Sequence, residues 1–186
     1  MDTKKILEQV KNGAMSVEEA EEFFRRQPFE DLGYAKLDTH RKLRSGCAEV
    51  VFCSGKADEH LLSIYERLYA EEGEVLGTRA SKEQAELVQS KLPEVEYDAL
   101  SRILKIEKKE KEYVGKIVVC TAGTADIPVA EEAAQTAEFF GNHVERIYDV
   151  GVSGLHRLLS RVETIQSANC VITVAGMEGA LASVIG

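Results

Sequence analysis

Residues 116–129 read K-I-V-V-C-T-A-G-T-A-D-I-P-V, and this stretch decides the fold. It opens with an apolar, β-branched run that predicts a buried strand over residues 116–121. A loop of small residues follows, and Pro128 suits the first turn of a helix. A strand, a tight loop and a helix start together present backbone N–H groups and a helix N-terminus to an anion. The pattern therefore predicts an anion site at the head of an α/β unit.

The sequence that follows this stretch repeats the same unit. It predicts helix 128–140, strand 144–150, helix 155–167, strand 170–175 and helix 180–185. A β-α-β-α-β-α series of this kind indicates parallel strands with right-handed crossovers. We therefore expect a doubly wound parallel sheet with helices on both faces, a three-layer α/β fold of which the chain carries three strands.

The sequence before this stretch predicts a separate, small α/β domain with a helical appendage. The appendage consists of two helices, the first over residues 2–12. The second begins with a capping box at Ser16, extends to about Arg26 and is stopped by Pro28. Its apolar stripe is formed by Val17, Ala20, Phe23 and Phe24. The domain proper is predicted as strand 49–53, helix 57–72, strand 75–78, helix 81–91 and an extended segment 95–107, which form a parallel or mixed sheet. The charged run 108–113 is interpreted as a linker, so we predict an N-terminal domain over 1–114 and a carboxylase-like, flavodoxin-like α/β domain over 115–186.

Composition narrows the class of protein. The formal net charge of −9 argues against nucleic acid as a partner. No apolar run is long enough for a membrane span, and the polar N-terminus does not resemble a signal peptide. The four cysteines lack the C-x-x-C spacing of zinc sites, and we expect them to be reduced in a cytoplasmic protein.

Chemistry is expected where the strands of the second half end, because ligands bind at the carboxyl ends of parallel strands. Three glycine-bearing loops lie there, and glycine lets a ligand approach the backbone closely. Their candidate residues are Gly123, Thr124, Ala125 and Asp126, then Ser153, Gly154, His156 and Arg157, then Gly176, Met177 and Glu178. Several have structural alternatives. Asp126 could be a helix N-cap, Glu178 could complement a helix dipole, Met177 could be a packing residue, and His156 could be an ordinary surface histidine.

A second group of polar residues lies in the first half. Asp38, His40, Arg41 and Arg44 fall within seven positions, and Lys56 follows a glycine after a predicted strand. The segment is interpreted either as a solvated stretch with an Asp–Arg pair or as a basic finger that holds a phosphate or carboxylate. Spacing alone favours the solvated stretch. Lys56 does not belong to a P-loop, because the upstream glycine and the following Ser/Thr are absent.

The second half resembles the family of 5-aminoimidazole ribonucleotide carboxylases and mutases. The carriers of the resemblance are Gly123-Thr124-Ala125-Asp126, Val152-Ser153-Gly154-Leu155-His156-Arg157 and the third loop from Ala175 to Leu181. Three features depart from that family: Ala125 replaces a serine, one extra residue separates Ser153 from His156, and Glu178 has no counterpart.

The departures fit a sister family, the carboxylase of nickel-pincer-nucleotide cofactor synthesis (pyridinium-3,5-biscarboxylic acid mononucleotide synthase). The runs T-A-G-T-A-D-I-P-V-A-E-E-A, R-I-Y-D-V-G-V-S-G-L-H-R and V-A-G-M-E-G-A-L resemble it. In the first half, Asp38-x-His40-Arg41-x-x-Arg44-x-Gly46-x-x-Glu49-Val50 and Gly55-Lys56 are similar to its N-terminal signature.

This resemblance implies an enzyme that adds CO2 to C5 of the pyridinium ring of nicotinic acid adenine dinucleotide and hydrolyses the phosphoanhydride to release AMP. It implies Glu178 and Asp126 as catalytic residues and the other loop residues as substrate contacts. A cysteine thiolate adds to the ring first, because an electron-poor pyridinium does not attack CO2 directly. Mg²⁺ could assist the hydrolysis, although the sequence shows no set of metal ligands. No tightly bound organic cofactor is expected. The chain is expected to form a homo-oligomer.

None of the four cysteines occupies a segment like that of the family's nucleophile, and Cys120 is expected to be buried in a strand. We therefore expect a C-terminally truncated chain that cannot complete the reaction. Two alternatives stay open: a purine-pathway carboxylase or mutase acting on aminoimidazole ribonucleotide, and a non-catalytic nucleotide-binding module.

Overall fold

The computed structural model describes residues 3–25 and 29–186. The N-terminal appendage is a pair of helices, α1 (Thr3–Lys11) and α2 (Val17–Arg25). The predicted capping box is present: the Ser16 N–H donates to Glu19, and the Glu19 N–H donates to Ser16 Oγ. The predicted apolar stripe is only partly correct, because Ala20 is buried whereas Val17 and Phe24 are exposed. The predicted ends at Asp2, Arg26 and Pro28 lie outside the described residues.

The first sheet is mixed, one of the two predicted possibilities, but it has four strands where the sequence predicts three extended segments. The elements around it are β1 (Glu30–Asp31), β2 (Lys36–Leu37), α3 (Arg41–Ser45), β3 (Val50–Phe52), α4 (Asp58–Glu72), β4 (Val75–Thr78), α5 (Lys82–Gln89), β5 (Glu96–Asp98) and β6 (Ile103–Ile106). The strand order is β3-β4-β6-β5, with β3 parallel to β4 and the two later strands joined antiparallel. Strands β1 and β2 form a separate two-stranded ribbon.

Helix α4 follows its sequence pattern closely. Its residues Leu61, Ile64, Tyr65 and Leu68 are buried at helical spacing. The helix ends at Gly73, whose φ of 67° is the left-handed geometry that glycine adopts readily. The local pattern was sufficient here because one face of the helix covers the sheet.

The extended segment predicted over residues 95–107 is wrong in one respect: it is a hairpin of two strands. The Asp98 carboxylate accepts hydrogen bonds from the Leu100 N–H and the Ser101 hydroxyl, which turns the chain. Arg102 then takes a left-handed φ of 60° before β6 begins. The side chain of one aspartate therefore interrupts a weakly alternating segment.

The second sheet has three parallel strands in the order β8-β7-β9. Its elements are β7 (Val114–Thr121), α6 (Ile127–Phe139), β8 (Asn142–Ile147), α7 (Leu155–Leu159), α8 (Val162–Gln166), β9 (Cys170–Val174) and α9 (Ala180–Ile185). Ala130 and Ala134 of α6 pack on one face with Val119, and Leu158 and Leu181 pack on the other face with Val118 and Cys120. The predicted three-layer α/β fold is confirmed.

The single helix predicted over residues 155–167 is wrong, because the chain bends between α7 and α8. The Ser160 hydroxyl donates to the Arg157 carbonyl, and the Arg161 N–H bonds to Leu158 rather than one residue further back. A serine hydroxyl that bonds to a backbone carbonyl three residues earlier competes with a continuous helix. Leu158 is consequently buried, while Leu155 and Leu159 remain exposed.

The charged run 108–113 is irregular and mostly exposed, but its Lys111 is packed against the fold. The Lys111 ammonium lies 3.8 Å from the centre of the Phe139 ring, and its side chain is only 12% exposed. It also makes ion pairs with Glu74 at 3.4 Å and Glu107 at 3.1 Å. Lys111 therefore connects the end of α6 to the first sheet, and the domain boundary near residue 114 stays a prediction.

Within the described part of the chain, none of the helices combines the length and the apolar character that crossing a membrane requires.

Candidate functional site

Three loops meet at the carboxyl ends of β7, β8 and β9. We call them loop 1 (residues 122–126), loop 2 (148–154) and loop 3 (175–179). Loop 1 is joined to the end of β9, since the Ala122 N–H donates to the Val174 carbonyl over 3.0 Å. Loop 2 is joined to the end of β7, since the Val150 N–H donates to the Thr121 carbonyl, also over 3.0 Å. The predicted convergence of the three loops is therefore present in the fold.

The strand order makes this edge a topological switch point. The chain leaves the central strand β7 toward β8 through α6 and then crosses to β9 on the other side. The α6 layer and the α7–α9 layer lie on opposite faces, so the connections diverge between loops 1 and 3, and we call this place the crevice. In open α/β sheets, ligands bind in this crevice.

In loop 1, Asp126 holds the backbone in a tight turn. Its carboxylate accepts the Gly123 N–H over 2.9 Å, and its own N–H donates to the Gly123 carbonyl. Asp126 occupies the predicted N-cap position, but its side chain makes no hydrogen bond to the first turn of α6. Thr124 and Ala125, at the tip of the loop, are exposed and accessible to a ligand.

In loop 2, Asp149 fixes Arg157. The Arg157 guanidinium donates to Asp149 Oδ2 over 2.6 Å. The same guanidinium lies on the backbone of Gly154, where a Cβ atom would come within 2.7 Å of Nε. Ser153 and His156 flank this pair with exposed side chains. A groove of about 430 Å³ opens beside the pair, so the guanidinium has room for an anion next to it.

Loop 3 is the most exposed of the three loops. Met177 is fully exposed, so its interpretation as a packing residue is wrong. Glu178 precedes α9 and is also exposed, and no described residue pairs with its carboxylate. Gly176 has no atom within 4 Å of where a Cβ would lie. The loop therefore presents a free carboxylate above the crevice.

Two non-glycine residues of these loops adopt left-handed backbone conformations. Asp149 has a φ of 58° and Met177 a φ of 51°. Such conformations cost about 1–3 kcal/mol and cluster at functional sites. Both residues lie within the loops that border the crevice, which marks this edge as the candidate site.

The residues predicted as N-terminal anion contacts do not gather around the crevice. Arg44 forms an ion pair with Asp38, and the Asp38 N–H donates to Glu49, just before β3. Arg41 is exposed and His40 is half-buried. The Asp–Arg pair of the solvated-stretch interpretation is therefore present.

The position of this segment follows from its neighbours. Lys42 and Gly46 line the same cavity as Phe139 at the far end of α6. Loop 1 lies at the opposite end of that 13-residue helix, about 20 Å away at 1.5 Å per residue. Lys56 is separate again, because it follows the carboxyl end of β3.

The four cysteines all lie away from the loop tips. Cys53 and Cys120 are buried. Burial raises the pKa of the Cys120 thiol to about 11 and also raises the pKa of Cys53, so neither is a thiolate at neutral pH. Cys170 is exposed at the amino end of β9, and Cys47 follows α3. In the described residues, no group of three or more His, Cys, Asp or Glu side chains is placed to hold a metal ion.

Asp149 is the site residue that sequence reasoning missed. It accepts Arg157, and its N–H donates to Thr121 Oγ1 over 2.9 Å, so it connects loop 2 to the central strand. Its position in the sequence Y-D-V-G, at the end of a predicted strand and before a glycine loop, could have indicated a site residue. Its left-handed backbone could not be deduced from that pattern.

The fold and the loops define a class: an α/β protein with a candidate ligand site at the switch point of a parallel sheet. Residues 29–110 match a family described as a LarB/PurE-like N-terminal domain. An uncharacterized protein of Methanocaldococcus jannaschii is 36% identical over 187 residues, covering 94% of this chain and 72% of that protein. The chain belongs to this LarB/PurE-like family, which is of the carboxylase/mutase type.

Proposed function

We propose that the three loops bind nicotinic acid adenine dinucleotide for carboxylation of its pyridinium ring, a step of nickel-pincer cofactor synthesis. The observation that carries the proposal is the gathering of loops 1, 2 and 3 at one switch point, two of them with strained, left-handed residues. Family membership supports a carboxylase-type reaction, and the long motif resemblance of both halves favours the pyridinium substrate over others.

The proposed roles combine the family resemblance with the positions of the residues. Loop 1 offers the Thr124 hydroxyl and the backbone around Gly123 and Ala125 to a ribose or phosphate, with Asp126 holding the turn. Arg157, oriented by Asp149, offers a guanidinium to a phosphate or carboxylate, and Ser153, Gly154 and His156 line the same side. We assign to Glu178, which is exposed and unpaired among the described residues, removal of the C5 proton after CO2 has added.

The chemistry assigned to this chain is binding and proton transfer. Thiolate addition makes the ring electron-rich, CO2 then bonds to C5, and loss of the C5 proton and the thiolate restores the pyridinium. No cysteine of this chain lies at the crevice, so the proposal assigns none of them to the thiolate step. Mg²⁺ could assist hydrolysis of the phosphoanhydride, with phosphate oxygens supplying part of its coordination.

Calorimetric titration tests the proposal. We expect the chain to bind nicotinic acid adenine dinucleotide, and we expect Arg157→Gln to weaken that binding about tenfold, the value of a single charge-assisted hydrogen bond. Glu163→Gln, which changes an exposed residue of α8, serves as the control and should leave the affinity unchanged. Failure of the dinucleotide to bind the unmodified chain would remove the proposal.

A purine-pathway carboxylase or mutase is the second candidate, because the family description covers both branches. The discriminating ligand is aminoimidazole ribonucleotide. Tighter binding of that mononucleotide than of the dinucleotide would replace the first candidate with this one.

A non-catalytic binding module is the third candidate, favoured because none of the four cysteines lies at a loop tip and the nearest, Cys120, is buried in β7. It predicts that Glu178→Gln changes no rate when bicarbonate and the dinucleotide are supplied. Release of AMP together with carboxylated product, lost in that variant, would exclude it.

A further inference from the structure

The first sheet lies along α6 in a fixed direction. Leu76 of β4 packs with Phe139 near the end of α6, and Arg79 beyond β4 makes an ion pair with Glu132 at 2.5 Å. Three residues of strand span about 10 Å, and seven residues of helix span about 10.5 Å. The two spans agree, so β4 runs antiparallel to α6, and its carboxyl end leads toward loop 1.

Three cations gather around that carboxyl end. Arg79 follows β4, Lys56 follows β3, and Arg102 lies in the neighbouring hairpin turn. Arg102 is fixed by its contacts: Nε donates to the Ala80 carbonyl over 2.9 Å, and a terminal nitrogen donates to the Arg79 carbonyl over 3.0 Å. We call these three residues the basic cluster.

The basic cluster carries an excess of positive charge. Glu132 pairs with Arg79, but no acidic side chain of the described residues lies within ion-pair distance of Lys56 or Arg102. Burial raises the pKa of the nearby Cys53 thiol, and the charges of Lys56 and Arg102 both oppose that rise. Lys56 and Arg102 lie at the same edge of the first sheet, because β3 runs parallel to β4 and β6 begins beside the end of β4.

The backbone of the cluster is strained in the same way as that of loops 2 and 3. Arg79 has a φ of 57° and Arg102 a φ of 60°. Left-handed conformations in arginine cost free energy and persist where the surroundings impose them. Here the hydrogen bonds of the Arg102 guanidinium hold both residues in place.

We propose that the basic cluster binds the phosphate of the adenylate half of the dinucleotide, while loops 1 to 3 bind the nicotinate half. Arg102 uses two of its five N–H donors on backbone carbonyls, so the remaining ones can bind a phosphate, and Lys56 supplies a further point charge. Glu132 lies six residues beyond Asp126, about 9 Å along α6, so the two anion sites are displaced along one helix. The identity of the ligand rests on the proposed function; the phosphate site itself does not.

The test uses AMP and nicotinic acid mononucleotide as separate probes in calorimetric titrations of the intact chain. The variant is the double substitution Lys56→Gln and Arg102→Gln, with Lys91→Gln at an exposed position as the matched control. We expect the double variant to lose about 10- to 100-fold in AMP affinity, tenfold for each charged contact, and to bind the mononucleotide within twofold of the unmodified chain. Circular dichroism checks that both variants are folded, and the single variant Arg102→Gln, which should lose about tenfold, replaces the double variant if the latter is not.

The outcomes separate this inference from the proposed function. AMP binding that is absent in the unmodified chain, or unchanged in the double variant, overturns the inference even if the dinucleotide binds. An AMP site lost with the cluster, in a chain that does not bind the dinucleotide, keeps the inference and removes the proposed function.

Discussion

Gly151 sets the distance between loops 1 and 2. A Cβ atom at this position would lie 2.6 Å from the Ala122 carbonyl oxygen, and that oxygen belongs to the backbone. We predict that Gly151→Ala lowers the free energy of unfolding by about 1–3 kcal/mol, the usual cost of overpacking. Urea denaturation measures the change.

Gly176 provides the matched control, since it has no atom within 4 Å of where a Cβ would lie. Gly176→Ala should shift the free energy of unfolding by less than about 0.5 kcal/mol. Equal midpoints for the two variants would contradict the close approach of Gly151 to loop 1.

Cys120 gives a prediction about alkaline pH. Its folded-state pKa of about 11 exceeds that of an unfolded thiol, about 8.5. Above pH 8.5 the unfolded state therefore releases a proton that the folded state retains, so this stabilising contribution is present below that pH and is lost as pH rises to about 11. We expect the free energy of unfolding to fall by up to about 1.4 kcal/mol per pH unit in this window.

Denaturation of Cys120→Ala, which has no thiol at this position, should show a shallower loss between pH 9 and 11. Identical pH slopes in the two proteins would contradict the burial of the thiol.

The burial of the thiols also predicts the order in which they are alkylated. Iodoacetamide at pH 8 should modify exposed Cys170 before buried Cys53 and Cys120, which mass spectrometry of peptides would detect.

At the scale of elements, α6 connects the two sheets through its last residue. Phe139 is 3% exposed, packs with Leu76 and Ile103, and lies under the Lys111 ammonium. We predict that Phe139→Ala lowers the free energy of unfolding by about 3–5 kcal/mol, as expected for a large buried side chain. Thermal or urea denaturation measures it.

Phe52, which is 59% exposed, is the control for this substitution. Phe52→Ala should cost less than about 1 kcal/mol, since little apolar surface is lost. A loss for Phe139→Ala that is no larger than that of the control would show that α6 does not depend on the first sheet.

The elements that sequence predicted well are those with strong local patterns. Helix α4 buries the residues its periodicity indicates, and strand β7 buries its β-branched run. Predictions failed where a side chain bonded to nearby backbone, at Asp98 in the hairpin and at Ser160 between α7 and α8. Those hydrogen bonds determine where the chain turns, and hydrophobic periodicity does not predict them.

The candidate site likewise has features that local sequence patterns predict and features that they do not. Glycine loops after predicted strands were visible in the sequence, because both signals are local. The pairing of Asp149 with Arg157 and the basic cluster were not, since each depends on contacts between segments. Arg79 and Glu132 are 53 positions apart, and only the packing of β4 along α6 brings them together.

At the scale of the whole molecule, the second sheet has two open edges. Strands β8 and β9 each pair on one side only within the described residues. Open edges favour association with another chain. We predict a homo-oligomer, so light scattering after size exclusion should give a mass that is a multiple of 20.5 kDa. A monomeric mass at micromolar concentration would contradict this.

The central claim is that loops 1, 2 and 3 form one nucleotide site. The most direct measurement is a titration of the ¹⁵N-labelled chain with nicotinic acid adenine dinucleotide, followed by the amide resonances of the loop glycines. The account predicts shifts at Gly123, Gly154 and Gly176, with the segment around Arg44 unchanged. Shifts confined to that segment, or none at saturating ligand, would contradict it.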